Sequence, residues 1–164
     1  MVRQLWLLRH AEAEPHGARA DEQRALTDRG ERQAAMAGIA LASLGVSFQS
    51  ILTSPKLRAL QTARLALAEL PAAQRELLAT HTPLAGDFDA AQALEALSAL
   101  DADGALLLVG HEPDMSRLLG ELTGARAAVK KGGLAMVRMH GAAGGELALL
   151  MRPHEIALLA GGAG

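Results

Sequence analysis

Residues 105–109, Ala-Leu-Leu-Leu-Val, constrain this chain's fold more than any other stretch. The run has no polar position and is too short for a stable helix. It therefore reads as a strand buried on both faces, the pattern of a parallel sheet covered by helices on each side. The run from Val2 to Leu8 reads the same way. Each run ends on a histidine: Arg9-His10 follows the first and Gly110-His111 the second. In open α/β sheets the C-terminal strand ends are where ligands and chemistry gather. A guanidinium beside an imidazole there suits an anionic substrate and a nitrogen nucleophile.

The intervening segments alternate between helix and strand patterns. Thr27 caps a helix whose first turn carries Asp28 and Glu31, with Ala35, Ile39 and Ala42 as an apolar face and Gly45 as its stop. Phe48–Thr53 reads as a second strand. Ser54-Pro55 reads as a cap followed by proline in the first helical position, opening a helix that buries Leu57, Leu60, Ala63, Leu67 and Leu70. Arg58 and Thr62 fall on one polar flank of that helix, with Arg58 one turn in. Residues 75–80 read as a weaker strand, 81–87 as a loop, and 90–100 as a helix. Pro113 opens another helix carrying Met115, Leu118, Leu119 and Leu122. Residues 134–139 and 146–151 form a closing hairpin, and the small-residue tail from 155 to 164 reads as frayed. His16, His140 and His154 belong to no pattern and read as surface residues. The whole predicts an α/β chain: one domain over residues 1–164, a three-layer α/β/α sandwich with a mostly parallel central sheet. In such a sheet Arg9, His10, Arg58 and His111 converge on one edge.

Composition bounds the partners. Sixteen Lys and Arg against eighteen Asp and Glu give a formal charge of −2, which argues against a general nucleic-acid binder. The chain has no cysteine, hence no thiol chemistry and no cysteine-based metal site. No apolar stretch approaches the roughly 20 residues of a membrane span, and no secretory signal is visible, so a cytoplasmic location without membrane partners is expected. No cluster of Asp or Cys suggests a metal, and no cofactor is expected. Arg and His side chains would have to neutralise a phosphoryl group themselves.

Leu8-Arg9-His10-Ala11-Glu12-Ala13-Glu14, Thr53-Ser54-Pro55 with Arg58 and Thr62-Ala63, and Val109-Gly110-His111-Glu112-Pro113 together resemble the histidine phosphatase superfamily, and more closely its small SixA-like phosphohistidine phosphatase branch. The resemblance runs from the first strand to about Pro153, taking in Leu26-Thr27, Gly30 and Lys131-Gly132. It implies a phosphoglycerate mutase-like fold. It also implies that His10 attacks phosphorus and carries it covalently, while Arg9, Arg58 and His111 bind the phosphoryl oxygens. The superfamily's usual Arg-His-Gly reads Arg9-His10-Ala11 here, a change that the SixA-like branch tolerates. Larger relatives take an acid from inserted segments or from an Asp after the second histidine. The candidate acids in this chain are Glu12, Asp87 and Glu112.

An imidazole leaving group, with a conjugate-acid pKa of about 6.5, needs far less acid assistance than an alkoxide. A chain of this length also leaves little sequence for a lid, which suits a phosphorylated side chain on another protein better than an enclosed metabolite. The expectation is a metal-independent phosphatase acting on phosphohistidine in a partner protein. Its competitors are a phosphatase for small phosphoesters and, from a different class, a non-catalytic phosphate-binding module.

Overall fold

The computed structural model describes residues 2–141 and 144–161. Six strands form one sheet: β1 (Gln4–Arg9), β2 (Ser50–Thr53), β3 (Leu78–Thr80), β4 (Ala105–Gly110), β5 (Leu134–Met139) and β6 (Gly145–Met151). Their order across the sheet is β3-β2-β4-β1-β5-β6. The first four run parallel, β5 lies antiparallel to β1, and β6 antiparallel to β5. The two apolar runs of the sequence are thus the central pair. They align residue for residue from Gln4 opposite Ala105 to Arg9 opposite Gly110.

Side-chain alternation along β1 builds the two cores. Trp6 and Leu8 face one layer with Leu41, Ile51, Leu67 and Ile156, held under α1 (Asp28–Ser43), α2 (Leu57–Leu67) and α6 (Pro153–Leu159). Leu5 and Leu7 face the other with Phe88, Leu97, Met115 and Leu118, under α4 (Ala90–Ser98) and α5 (Asp114–Thr123). A short α3 (Ala72–Arg75) leads into β3. Helices on both faces of a mostly parallel sheet are the architecture expected from the apolar runs.

Several local readings change. The buried stripe of α1 is Gly30, Ala34, Ala37, Gly38 and Leu41, whereas Ala35 and Ile39 are only half-buried and Ala42 is exposed. In an alanine-rich helix two small-residue stripes compete, and close backbone approach decides between them: a methyl on Gly38 would lie 2.2 Å from the Ala66 carbonyl oxygen. α2 begins at Leu57 rather than Pro55, because the Ser54 hydroxyl accepts from the Lys56 N–H in a turn that precedes the helix. Its buried side includes Arg58 and Thr62 as well as Ala59, Ala63, Ala66 and Leu67, while Leu57 and Leu60 are half-buried. The second strand is shorter than read and the third is confined to three residues. The C-terminal segment is not frayed from residue 155. Pro153 starts α6, Glu155 accepts from the Arg152 N–H, and Ile156 is fully buried in the core. Residues 162–164 lie outside the described chain. Among the described residues no helix is long and apolar enough to cross a membrane.

The α1–α2 approach makes a direct prediction. Gly38→Ala should lower the unfolding free energy by about 1–3 kcal/mol through overpacking, measured by urea denaturation. An unchanged midpoint would contradict the close contact.

Candidate active site

The register of β1 and β4 carries the two histidines out of the sheet side by side. The His10 N–H donates to the Gly110 carbonyl at 3.0 Å, and the imidazole centroids of His10 and His111 lie 5.1 Å apart with a 50° tilt. Both side chains are nearly closed off from solvent, at 6% and 8% exposure. A cavity of about 280 Å³ opens above them, and Arg9, Arg58, Arg24, Lys131, Glu14 and Glu112 reach its wall.

One hydrogen bond fixes the tautomer of His10. His10 Nδ1 lies 2.8 Å from the Ala11 carbonyl, which can only accept, so Nδ1 carries the proton and Nε2 carries the lone pair. Ser54 Oγ accepts from the Lys56 N–H at 3.2 Å and lies 2.7 Å from His111 Nε2. Its second lone pair can accept from Nε2–H, or its own proton can go to Nε2, and in the second case His111 keeps its proton on Nδ1. That Nδ1 is buried and has no protein partner, as are the Nε atoms of Arg9 and Arg58. Two unpaired guanidinium donors and an unpaired imidazole nitrogen at one cavity form a site suited to an oxyanion.

Electrostatics keep both rings neutral. Burial pushes the His10 imidazole down to about 4, with Arg58, Arg9 and Lys131 adding repulsion against the Ala11 hydrogen bond. Burial likewise takes His111 to about 3, reinforced by His10, Arg58 and Lys56. Burial also lowers Arg9 and Arg58 from the usual guanidinium value. An arriving phosphoryl anion would relieve that penalty.

Helix α2 supplies Arg58, and two other residues hold it. Thr62 Oγ1 donates to the Arg58 carbonyl at 2.7 Å and accepts from the Ala11 N–H at 3.0 Å, linking the helix to the strand end. Asp21 takes the guanidinium: Nη1 donates to its backbone carbonyl at 2.7 Å and Nη2 to its carboxylate at 3.3 Å. The same carboxylate receives Arg24 at 3.0 Å and Lys56 at 3.1 Å. Desolvation works against the Asp21 charge, but hydrogen bonds from Lys56 and Arg24 and the field of Arg58 outweigh it and hold the carboxyl well below the carboxylate range. Arg24 is buried and also donates to the Glu14 carbonyl at 2.7 Å, fixing the loop that walls the cavity.

Of the six residues the sequence singled out besides His10, Arg9, Arg58, His111 and Glu112 line this cavity, whereas Glu12 and Asp87 do not. Glu12 turns toward α1, accepting from Thr27 Oγ1 at 2.9 Å and pairing with Arg29 at 3.1 Å. Asp87 is exposed, with a left-handed φ of 61°. Glu112 reaches the rim with both oxygens occupied, one by the Ser116 N–H and hydroxyl and the other by the Val129 N–H. Glu14 also reaches the wall. Asp21, Arg24 and the bond from Ser54 to His111 were not foreseen. Only the Ser-Pro turn carried a local signal, and it pointed to a helix cap.

A sequence profile described as histidine phosphatase superfamily (branch 1) matches residues 5–79. An uncharacterized protein of Picosynechococcus sp. is 34% identical over 143 residues, covering 82% of this chain and 84% of the relative. The chain belongs to the histidine phosphatase superfamily. Solved structures agree on the fold. The protein histidine phosphatase SixA complexed with tungstate superposes with a TM-score of 0.81 at 24% identity, over 93% of this chain and 99% of that one. The alpha-ribazole phosphatase of Shigella flexneri gives 0.65 at 22% identity, over 92% and 96%. A phosphoglycerate mutase from Plasmodium falciparum gives 0.64 at 16% identity, over 92% and 89%, so the architecture is phosphoglycerate mutase-like.

Three predictions test this site. The imidazole ¹⁵N shifts of His10 and His111 in the free protein should remain those of neutral rings from pH 7 to pH 5; titration near 6.5 would contradict the burial argument. The folded protein binds fewer protons at these rings than the unfolded chain, where they titrate near 6.5. Their contribution to stability is complete above that value and is lost as pH falls toward about 4 and about 3, so the urea midpoint should drop between pH 7 and pH 5. Thr62→Val leaves the Ala11 N–H buried and unpaired. It should cost about 1–3 kcal/mol of stability and slow turnover, with Thr62→Ser restoring most of both.

Proposed function

We propose that this protein is a metal-independent phosphatase that removes the phosphoryl group from phosphohistidine on a partner protein, through a covalent intermediate on His10. One observation carries the reading. His10 has its Nδ1 proton tied to the Ala11 carbonyl, so its Nε2 lone pair faces a cavity ringed by Arg9, Arg58 and His111. A neutral, oriented imidazole among cationic and N–H donors is what in-line attack on a phosphoryl group needs.

In the first step His10 Nε2 forms a bond to phosphorus while the P–N bond of the substrate breaks. The electron pair of that bond leaves with the substrate imidazole, which departs neutral when its other nitrogen is protonated. Arg9, Arg58 and His111 Nδ1 bind the equatorial oxygens, whose charge they stabilise in the transition state. Because Nδ1 keeps its proton, phosphorylated His10 is cationic on the ring and becomes a neutral leaving group in turn. Water then attacks phosphorus, the P–Nε2 bond breaks, and phosphate leaves with the free enzyme restored. Asp21 and Thr62 act through Arg58 and the strand end, as positioning residues.

The leaving group decides the substrate class. Glu14 and Glu112 stand at the rim, and each already accepts hydrogen bonds: Glu14 from the Ala25 N–H, Glu112 from Ser116 and Val129. An alkoxide would demand a proton donor from this pair, whereas an imidazole departs without one. The similarity to a SixA fold supports the same class. The second reading, a phosphatase for small phosphoesters, is favoured by the comparable fold of an alpha-ribazole phosphatase.

Wild type and His10→Ala should be assayed with a phosphohistidine-bearing protein and with an aryl phosphate, both in chelator. The expected result is rapid loss of phosphohistidine by wild type, slow aryl ester hydrolysis, and a variant at least 10³-fold slower on both. Faster turnover of the ester or of a small metabolite would overturn the substrate class. Equal inertness of both proteins would leave a phosphate-binding module.

A further inference from the structure

We propose that the cationic groove running away from His10, between the first turn of α1 and the start of α6, docks a carboxylate-rich segment of the phosphorylated partner protein. The proposal rests on the phosphohistidine reading above and specifies how the partner is recognised.

The catalytic cavity has a larger neighbour of about 540 Å³, lined by Arg29, Lys130 and Arg152 together with Arg9 and Lys131, which line both. Past Arg29, Gln33, Pro153 and His154 a third concavity of about 360 Å³ continues to Arg32. The two outer concavities hold six of the chain's sixteen Lys and Arg and a single lining carboxylate, Glu12. The chain as a whole carries −2, so this is a local concentration of positive charge on an acidic protein.

Fold stability accounts for only part of that charge: Arg152 pairs with Glu155 at the start of α6. Among the described residues Arg9, Arg32, Lys130 and Lys131 have no carboxylate within ion-pair distance. Arg29 stands in the first turn of α1, where the helix dipole favours acids and repels cations. Its one pair, with Glu12, is at the surface with the guanidinium 70% exposed, and contributes little. Crowded like charges repel, so the groove is held at a small electrostatic cost that an anionic partner would offset.

The character of the groove selects the partner. Arg29, Arg32, Lys130 and Arg152 are all exposed. A metabolite subsite would present buried, oriented polar groups, whereas mobile cations along an open groove suit an acidic stretch of protein surface. Continuity through Arg9 and Lys131 places such a stretch on the molecule whose phosphoryl group sits at His10. The remaining acidic surface would repel the same partner, which orients the encounter.

The test uses Arg29→Glu/Lys130→Glu, which leaves the cavity around His10 untouched, and a second variant, Arg32→Glu/Lys130→Glu, should the first fold poorly. Binding of a fluorescently labelled, unphosphorylated Glu-rich peptide is read by anisotropy against a Ser-rich control and a single-stranded oligonucleotide. Turnover is read on phosphohistidine peptides with Glu-rich or Ser-rich flanks, and on an aryl phosphate. Wild type should bind the Glu-rich peptide, with affinity falling roughly tenfold in the variant and also falling with added salt. It should also turn over the Glu-flanked phosphopeptide faster than the Ser-flanked one. The variant should lose that preference while its aryl phosphate rate stays at the wild-type level. Equal binding of the Glu-rich and Ser-rich peptides, undiminished binding by the variant, or tighter binding of the oligonucleotide would overturn the docking proposal. Intact Glu-rich peptide binding with no phosphohistidine turnover, alongside aryl phosphate hydrolysis, would instead overturn the substrate reading.

Discussion

The parallel pairing of β1 with β4 is the constraint on which the site depends. Its register sets Arg9 opposite Gly110 and lets the His10 N–H donate to the Gly110 carbonyl, so that two histidines a hundred residues apart in sequence leave the sheet together. A slip of one residue would turn every β1 side chain to the opposite layer, exchanging Trp6 and Leu8 for Leu5 and Leu7 and separating the imidazoles. With both faces apolar, side-chain size rather than polarity secures the register: Trp6 and Leu8 fit one layer, Leu5 and Leu7 the other. Each of the two cores fills only when the alternation is correct. Burial that stabilises the sheet therefore also specifies the catalytic geometry.

Around that pair the chain commits hydrogen bonds rather than charge to orient the rings. The Ala11 carbonyl fixes one imidazole and the Ser54 hydroxyl fixes the other. Desolvation keeps both neutral beside two guanidinium groups. The cations are restrained separately: Arg58 by Asp21 and Thr62, and Arg9 by the Val129 carbonyl at 3.1 Å. Glu112 accepts from the Val129 N–H, so the residue that follows the second histidine braces the same segment that holds Arg9. The two imidazoles, the guanidinium groups and their supporting carboxylates thus form one connected network, anchored on the ends of β1 and β4 and the first turn of α2.

How much of this could be read from the chain depends on the range of the interaction. The central strands, the helices on both sides and the ends occupied by Arg9, His10 and His111 follow from short apolar runs and their termini, which are local signals. Arg58 was legible as a cation near a helix start, but its burial was not, since helical spacing assigned it to a polar flank. The face of α2 is rotated because Arg58 reaches Asp21 and Thr62 reaches Ala11, contacts that no periodicity encodes. The stripe of α1 was misread for a related reason: in a helix rich in alanine, backbone proximity at Gly38 selects the face. The bond from Ser54 to His111 and the clustering of Arg24, Lys56 and Arg58 on Asp21 join segments distant in sequence. They emerge only once the sheet is assembled.

The central claim is that the phosphoryl group passes onto Nε2 of His10. The most direct measurement is acid-avoiding rapid quench during turnover of a phosphohistidine-bearing protein, followed by peptide mapping and ³¹P NMR of the trapped enzyme. The account predicts one phosphoryl group per chain, on His10 and attached through Nε2, forming and decaying within the turnover time. Phosphate attached through Nδ1 or found on another residue, or steady release with no phosphoenzyme at any quench time, would contradict it.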